Sequence, residues 1–121
     1  MNGSLVYQDY INLINKNFII TENIRNNQIQ PSSIDLSLSE ECYEIKHSFL
    51  SYNSKVRDKL EDLAIKKINL SKEFVFIKNK TYIVKLNESL NLKSNIFGHC
   101  NPKSSTGRLD IFCRTLVDYA E

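Results

Sequence analysis

The apolar residues of this chain recur with two different periods, and the change between them limits the folds open to it. Val6, Tyr10, Leu13 and Ile14 fall on one face at helical spacing, so a first helix is expected from a Ser4 cap to about Asn17. Gln28-Ile29-Gln30-Pro31 ends any such element, because proline forces the residue before it into an extended shape. Ile34, Leu36 and Leu38 then alternate with Asp35 and Ser37, which predicts a half-buried strand, and Cys42-Tyr43-Glu44-Ile45 predicts another. Helical spacing returns over Lys55 to Lys67, where Val56, Leu60, Leu63 and Ala64 share a face, with Lys66 and Lys67 on the polar side.

From Ile68 the pattern is that of strands. Phe74 to Ile77 and Thr81 to Leu86 are rich in aromatic and β-branched residues, with Lys78-Asn79-Lys80 as a hairpin turn between them. Asn95 to Cys100 and Ile111 to Val117 complete the expected set. The reading is a mainly β domain with two helices. Ile111 to Val117 reads as a core-like strand close to the last residue, without a neighbour to cover it, so the domain is expected to be incomplete at its C-terminus.

Composition narrows the function classes. A chain of 121 residues with 41% hydrophobic and 25% charged residues has room for one modest core. A net charge of +2 without a dense Lys/Arg stripe gives no reason to expect a nucleic-acid or membrane surface. The apolar runs, such as Phe74 to Ile77, are too short to span a bilayer, and Met1 to Gln8 lacks a signal-peptide pattern. Cys42, Cys100 and Cys113 are odd in number and widely spaced, which fits free thiols in a reducing cytoplasm.

The segment Lys103-Ser104-Ser105-Thr106-Gly107-Arg108 concentrates chemistry between two expected strands. Two cations, three hydroxyls and a glycine that lets the backbone approach closely suit an anionic ligand. If Ser104 or Ser105 opens a short helix, free N–H groups add to this. The same residues also make an ordinary solvated turn, and the residue types alone leave both readings open. The glycine-lysine order of a Walker loop is missing. His99-Cys100-Asn101 has neither the glutamate nor the Cys-x-x-Cys of a zinc deaminase, so no zinc is expected, and no metal ligand is assigned. His47 reads as solvated.

Lys103-Ser104-Ser105-Thr106-Gly107-Arg108-Leu109 resembles the signature of the dCTP deaminases, a basic residue, two serines, two spacers, then Arg-Leu. Gln28-Ile29-Gln30-Pro31-Ser32-Ser33-Ile34-Asp35-Leu36 resembles the family's earlier landmark. The longer run Asn101 to Asp110, with Asp58-Lys59-Leu60 between the landmarks, is similar to the long two-domain bacterial subclass. The resemblance covers essentially the whole chain and implies that residues 1–121 are the amino-terminal part of a single dUTPase-like (β-clip) domain. It implies hydrolytic deamination of dCTP to dUTP and ammonia, magnesium accompanying the triphosphate, a homotrimer when full length, and a cytoplasmic enzyme.

By the same resemblance Lys103 meets the phosphates, Ser104 helps place the attacking water, and Ser105 stands on the phosphate side. Arg108 supports the catalytic carboxylate's surroundings, so Ser104 and Arg108 are the catalytic candidates. Val117 and Asp118 fall near the strand that reads the pyrimidine and deoxyribose. Lysine at 103, in place of the short subclass's arginine, keeps the charge and loses the bidentate fork. The family's general base is a glutamate later than Tyr119. Glu121 comes too early to match it, so the chain by itself is expected not to deaminate. Two rivals remain. One is a dUTP diphosphatase or bifunctional deaminase-diphosphatase, although diphosphatases carry a Gly-Arg-Ser-Gly type of loop. The other is a non-catalytic nucleotide-binding remnant. Gln30, Ser32, Ser33 and Asp35 read either as a structural turn or as a contact to a neighbouring subunit.

Overall fold

The computed structural model describes residues 3–116. The elements run α1 (Tyr7–Asn15), β1 (Ile19–Ile20), a single 3-10 turn (Asn26–Gln28), β2 (Leu38–Ile45), α2 (Val56–Leu63), β3 (Ala64–Asn69), β4 (Thr81–Leu86), β5 (Ser89–Leu90) and α3 (Ser104–Arg108). Five strands form two antiparallel sheets among the described residues, one in the order β3-β2-β4 and one pairing β1 with β5. The mainly β architecture is therefore present, with three α-helices where the apolar periodicity predicts two.

β2 is the centre of the larger sheet. Its Cys42 stands opposite Ile68 on β3 and Val84 on β4 and is fully buried. Leu13, Ile19, Ile29, Ile45 and Ile68 are the other buried apolar residues, so the core is small. Burial pushes the Cys42 thiol pKa up, and all three cysteines are unpaired. Two carboxylates of this central strand are ion-paired: Arg57 clamps Glu41 through Nη1 and Nη2 at 2.8 and 3.1 Å, and Lys80 meets Glu44 at 2.9 Å.

α1 begins two residues later than a Ser4 cap requires. Val6 takes the capping position, and the Asp9 carboxylate accepts its N–H at 2.9 Å. The helix ends in a Schellman arrangement. Phe18 N–H donates to Leu13 C=O and Asn17 N–H to Ile14 C=O, with Asn17 in the left-handed region at φ 56. α1 is stitched to the proline loop by Tyr7 N–H on Pro31 C=O and by the Tyr10 hydroxyl on Ser32 C=O.

Five expected elements differ. α2 stops at Leu63, because Ala64 turns extended and Ala64–Asn69 pairs with β2. Lys66 and Lys67 therefore belong to a strand, not to a helix face. Ile34 to Ser37 is not a strand; β2 starts at Leu38, and the preceding backbone is held by side chains instead of a ladder. Phe74 to Ile77 forms no strand. Its turn is nevertheless made, with Asn79 at φ 64, while Phe74 and Phe76 pack edge-on against Tyr82 at 5.9 and 4.9 Å. Asn95 to Cys100 and Ile111 to Leu116 also pair with nothing in a ladder. A strand requires a neighbouring strand to form a ladder with, and among the described residues these segments join no ladder.

Candidate functional site

Lys103, Ser104, Ser105 and Arg108 occupy one short element. Lys103 caps α3, and its carbonyl accepts from Thr106 N–H at 3.1 Å and from the Thr106 hydroxyl at 2.7 Å. The helix closes after five residues because Ile111 N–H returns to Thr106 C=O and Asp110 N–H to Gly107 C=O. Asp110 is left-handed at φ 55, a second Schellman end. Gly107 needs no special backbone angle, and a Cβ there would meet nothing within 4 Å. Its freedom for close approach therefore serves no contact within the described chain.

Ser104 and Arg108 lie one helical turn apart on the same face, with Arg108 Nη2 3.4 Å from Ser104 Oγ. Lys103, Ser104, Ser105 and Arg108 are all exposed. The catalytic candidates therefore share a solvent-facing edge and are not spent on core packing. Beyond α3 the chain is tied down by Arg114, whose Nη2 donates to Ser48 Oγ at 2.6 Å and to Phe49 C=O at 3.0 Å. Val117 and Asp118 lie outside the described residues.

The two sequence landmarks meet. Lys103 Nζ forms an ion pair with Asp35 Oδ2, across 68 positions of sequence. Surface pairs of this kind are worth only about 0–1 kcal/mol, so this one does little for stability. Around it lies an open cleft of about 450 Å³ lined by residues including Arg25, Asn27, Gln30, Asp35, Ser37 and Lys103. A second, larger cleft of about 810 Å³, with Leu38, Leu70, Phe74 and Phe76 in its wall, shares no residue with either landmark. Size favours the second; the convergence of cations and hydrogen-bonding groups favours the first. The smaller cleft is the candidate site.

The Gln28-to-Leu36 landmark is a hairpin-like turn. Ile29 bridges Ile34, Gln30 N–H donates to Ser33 C=O at 2.9 Å, and Gln30 Nε2 donates to Asn27 C=O at 2.7 Å. Of its two sequence readings, the structural turn is the one these contacts describe.

Beneath it is a polar cluster that sequence reasoning missed. Gln28 is buried; its Oε1 accepts Arg25 N–H, and its Nε2 donates to Asp35 C=O at 2.9 Å and to Glu88 Oε1 at 2.8 Å. Glu88, buried in the link between β4 and β5, also accepts Ser37 N–H at 2.8 Å and the Ser37 hydroxyl at 2.7 Å. Burial alone would raise its carboxyl pKa. The bonds from Ser37 and Gln28 outweigh that and hold it below the usual range. Glutamate is normally exposed, and Asn87-Glu88-Ser89 carries no pattern that marks burial.

The cleft's lining includes one carboxylate, Asp35, which Lys103 already engages. No group of three or more His, Cys, Asp or Glu that could hold a metal ion occurs among the described residues. No described helix is long and apolar enough to cross a membrane.

Comparison with known proteins adds two findings. The family model for the 2'-deoxycytidine 5'-triphosphate deaminase (DCD) N-terminal domain matches residues 1–121. A crystal structure of 2'-deoxycytidine 5'-triphosphate deaminase from Agrobacterium tumefaciens is similar at 37% identity and a TM-score of 0.86, over 91% of this chain and 34% of that one. No curated protein matches. The chain thus spans 34% of the length of the solved structure it resembles.

Proposed function

Since the chain belongs to the 2'-deoxycytidine 5'-triphosphate deaminase N-terminal-domain family, we propose that the cleft around Lys103 and Asp35, beside α3, is the phosphate side of a dCTP-binding site in an enzyme that deaminates dCTP to dUTP and ammonia. The observation that carries this reading is the Lys103–Asp35 pair, which joins the two landmarks at the edge of a cleft that also contains Arg25. A triphosphate in this position would compete with Asp35 for the Lys103 ammonium, an exchange of one anionic partner for a more highly charged one.

In this reading Lys103 and Ser105 bind phosphate oxygens, the first by charge and the second by hydroxyl donation. Ser104 orients the water that attacks the amine-bearing carbon of the cytosine ring. Arg108, within reach of Ser104 Oγ, holds that hydroxyl and offers a cation to the carboxylate that serves as general base. The base itself comes from outside residues 3–116, and a homotrimer, with sites between subunits, belongs to the same proposal, as does a cytoplasmic setting. The described residues do not make a protein-held magnesium site, since Asp35 is engaged by Lys103. Magnesium would arrive on the triphosphate's own oxygens.

The test is ammonia release from dCTP by a protein that carries this chain together with the later glutamate expected as general base. Arg108→Ala is expected to lower the rate by about 100-fold or more, the scale for removing one preorganised charge stabiliser. Absence of dCTP-dependent ammonia, or a rate indifferent to Arg108→Ala, removes the proposal. Release of pyrophosphate alongside ammonia would point to the bifunctional deaminase-diphosphatase.

A further inference from the structure

We propose that Glu88 is a positioning residue for the phosphate side of this site: it fixes the backbone on either side of Leu36 so that the Asp35 carboxylate stands where it can hold Lys103. This rests on the reading of the Lys103–Asp35 cleft given above and adds a residue that no landmark contains.

The geometry is a clamp with two arms. One arm is direct, from the Glu88 carboxylate to Ser37, whose N–H and hydroxyl it accepts at 2.8 and 2.7 Å. The other runs through Gln28, whose Nε2 donates both to Glu88 Oε1 and to the carbonyl of Asp35. Gln28 C=O in turn accepts Asp35 N–H at 2.8 Å, so both backbone polar groups of Asp35 are committed to one residue, Gln28. Asn87 reinforces the first arm, with its N–H on Ser37 C=O and its Nδ2 on Ser37 Oγ and Leu38 C=O. What remains free at Asp35 is the carboxylate, and that is the group that meets Lys103 Nζ.

The chemical economy of the cluster argues against simple packing. A buried carboxylate is a costly way to fill space, and a hydrophobic side chain would do it without desolvation. It persists where every lone pair in use has a donor and the donors need fixing. Here the donors belong to the segment Ser37 and Gln28, which has no strand ladder to hold it. The clamp replaces the missing ladder at the place where Asp35 must be aimed. An exposed ion pair to a long, flexible lysine has little positional memory of its own, since its net energy is about that of thermal fluctuation. Its placement must come from the backbone beneath it.

The experiment is quantitative amine labelling of the full chain by reductive methylation, read lysine by lysine by mass spectrometry, with and without dCTP. Asp35→Asn sets the scale by removing the ion pair outright and should raise Lys103 labelling by about two- to fivefold. Glu88→Gln presents an NH2 donor to Ser37 and breaks the clamp. It should move Lys103 labelling to near the Asp35→Asn level, while Lys80, held by Glu44 in the sheet, stays at its wild-type rate. Lys103 labelling in Glu88→Gln equal to wild type, with Asp35→Asn raised, overturns the proposal. If Glu88→Gln unfolds, shown by Lys80 labelling rising as well, Ser37→Ala carries the test. It removes only one hydroxyl donor, and an unchanged Lys103 rate there overturns the proposal in the same way. The dCTP arm separates the two layers: protection of Lys103 by dCTP in wild type, weakened in Glu88→Gln, supports both. No protection in wild type overturns the role of the clamp at a nucleotide site, and the labelling of Glu88→Gln still reports whether the link from Glu88 to Lys103 exists.

Discussion

Glu41 shows how a single contact couples this fold to pH. The two-pronged bond from Arg57, with help from the Tyr43 hydroxyl, holds its carboxyl pKa at about 2 against an ordinary 4.5. The folded pKa lies below the unfolded one, so the contribution is fully present above about pH 4.5 and is lost as pH falls toward 2. Urea denaturation at stepped pH should therefore show stability falling through that window, with Arg57→Ala flattening the slope. An identical slope in the variant would mean that other carboxylates account for the acid sensitivity. Glu88 has the same sign, because its folded pKa is also lowered. At Lys103 the relevant quantity is position and not stability, since a solvent-exposed pair contributes so little.

At the scale of elements, the helix ends carry more information than the helix interiors. Asn17 and Asp110 both adopt the left-handed conformation that closes a Schellman end, at α1 and α3. Asn and Asp tolerate that region better than other non-glycine residues, and a β-branched residue does not. Asn17→Val is expected to destabilise the chain by about 1–2 kcal/mol in equilibrium urea unfolding. A loss within error of zero would show that α1 does not depend on this cap. The same elements show what was legible in the sequence. Period and residue type together located α1, α2 and β4, and the Cys42 to Ile45 part of β2. They could not stop α2 at Leu63, because Ala64 suits a helix and only pairing with β2 makes it a strand. Nor could they distinguish Phe74 to Ile77 or Ile111 to Leu116 from strands, since composition predicts strand propensity and says nothing of a partner. Of the cleft's lining, Lys103 stands in a motif that the sequence displays, while Ser104, Ser105 and Arg108 follow it on α3 without lining the cleft. Gln28 stood in the other landmark without an evident task, and Glu88 was invisible, because nothing local distinguishes a buried glutamate from a solvated one.

The molecule as a whole presents more apolar surface than its small core would suggest. Phe112 is 92% exposed, Val75 77% and Phe97 73%, and Leu109 and Ile111 continue the same stretch beyond α3. Apolar exposure on this scale promotes association in water. Sedimentation velocity on residues 1–121 is expected to show concentration-dependent self-association; a monomer at every concentration would contradict this. The central claim, that Lys103 and its cleft receive the phosphates of a nucleotide, is tested most directly by calorimetric titration of the chain at low salt with dCTP and, in parallel, with deoxycytidine. Saturable heat with dCTP alone is expected, with Lys103→Ala weakening the affinity by about 10- to 100-fold, as befits one charge-assisted contact. Equal affinity in Lys103→Ala and wild type, or equal binding of the nucleoside that has no phosphate, would contradict it.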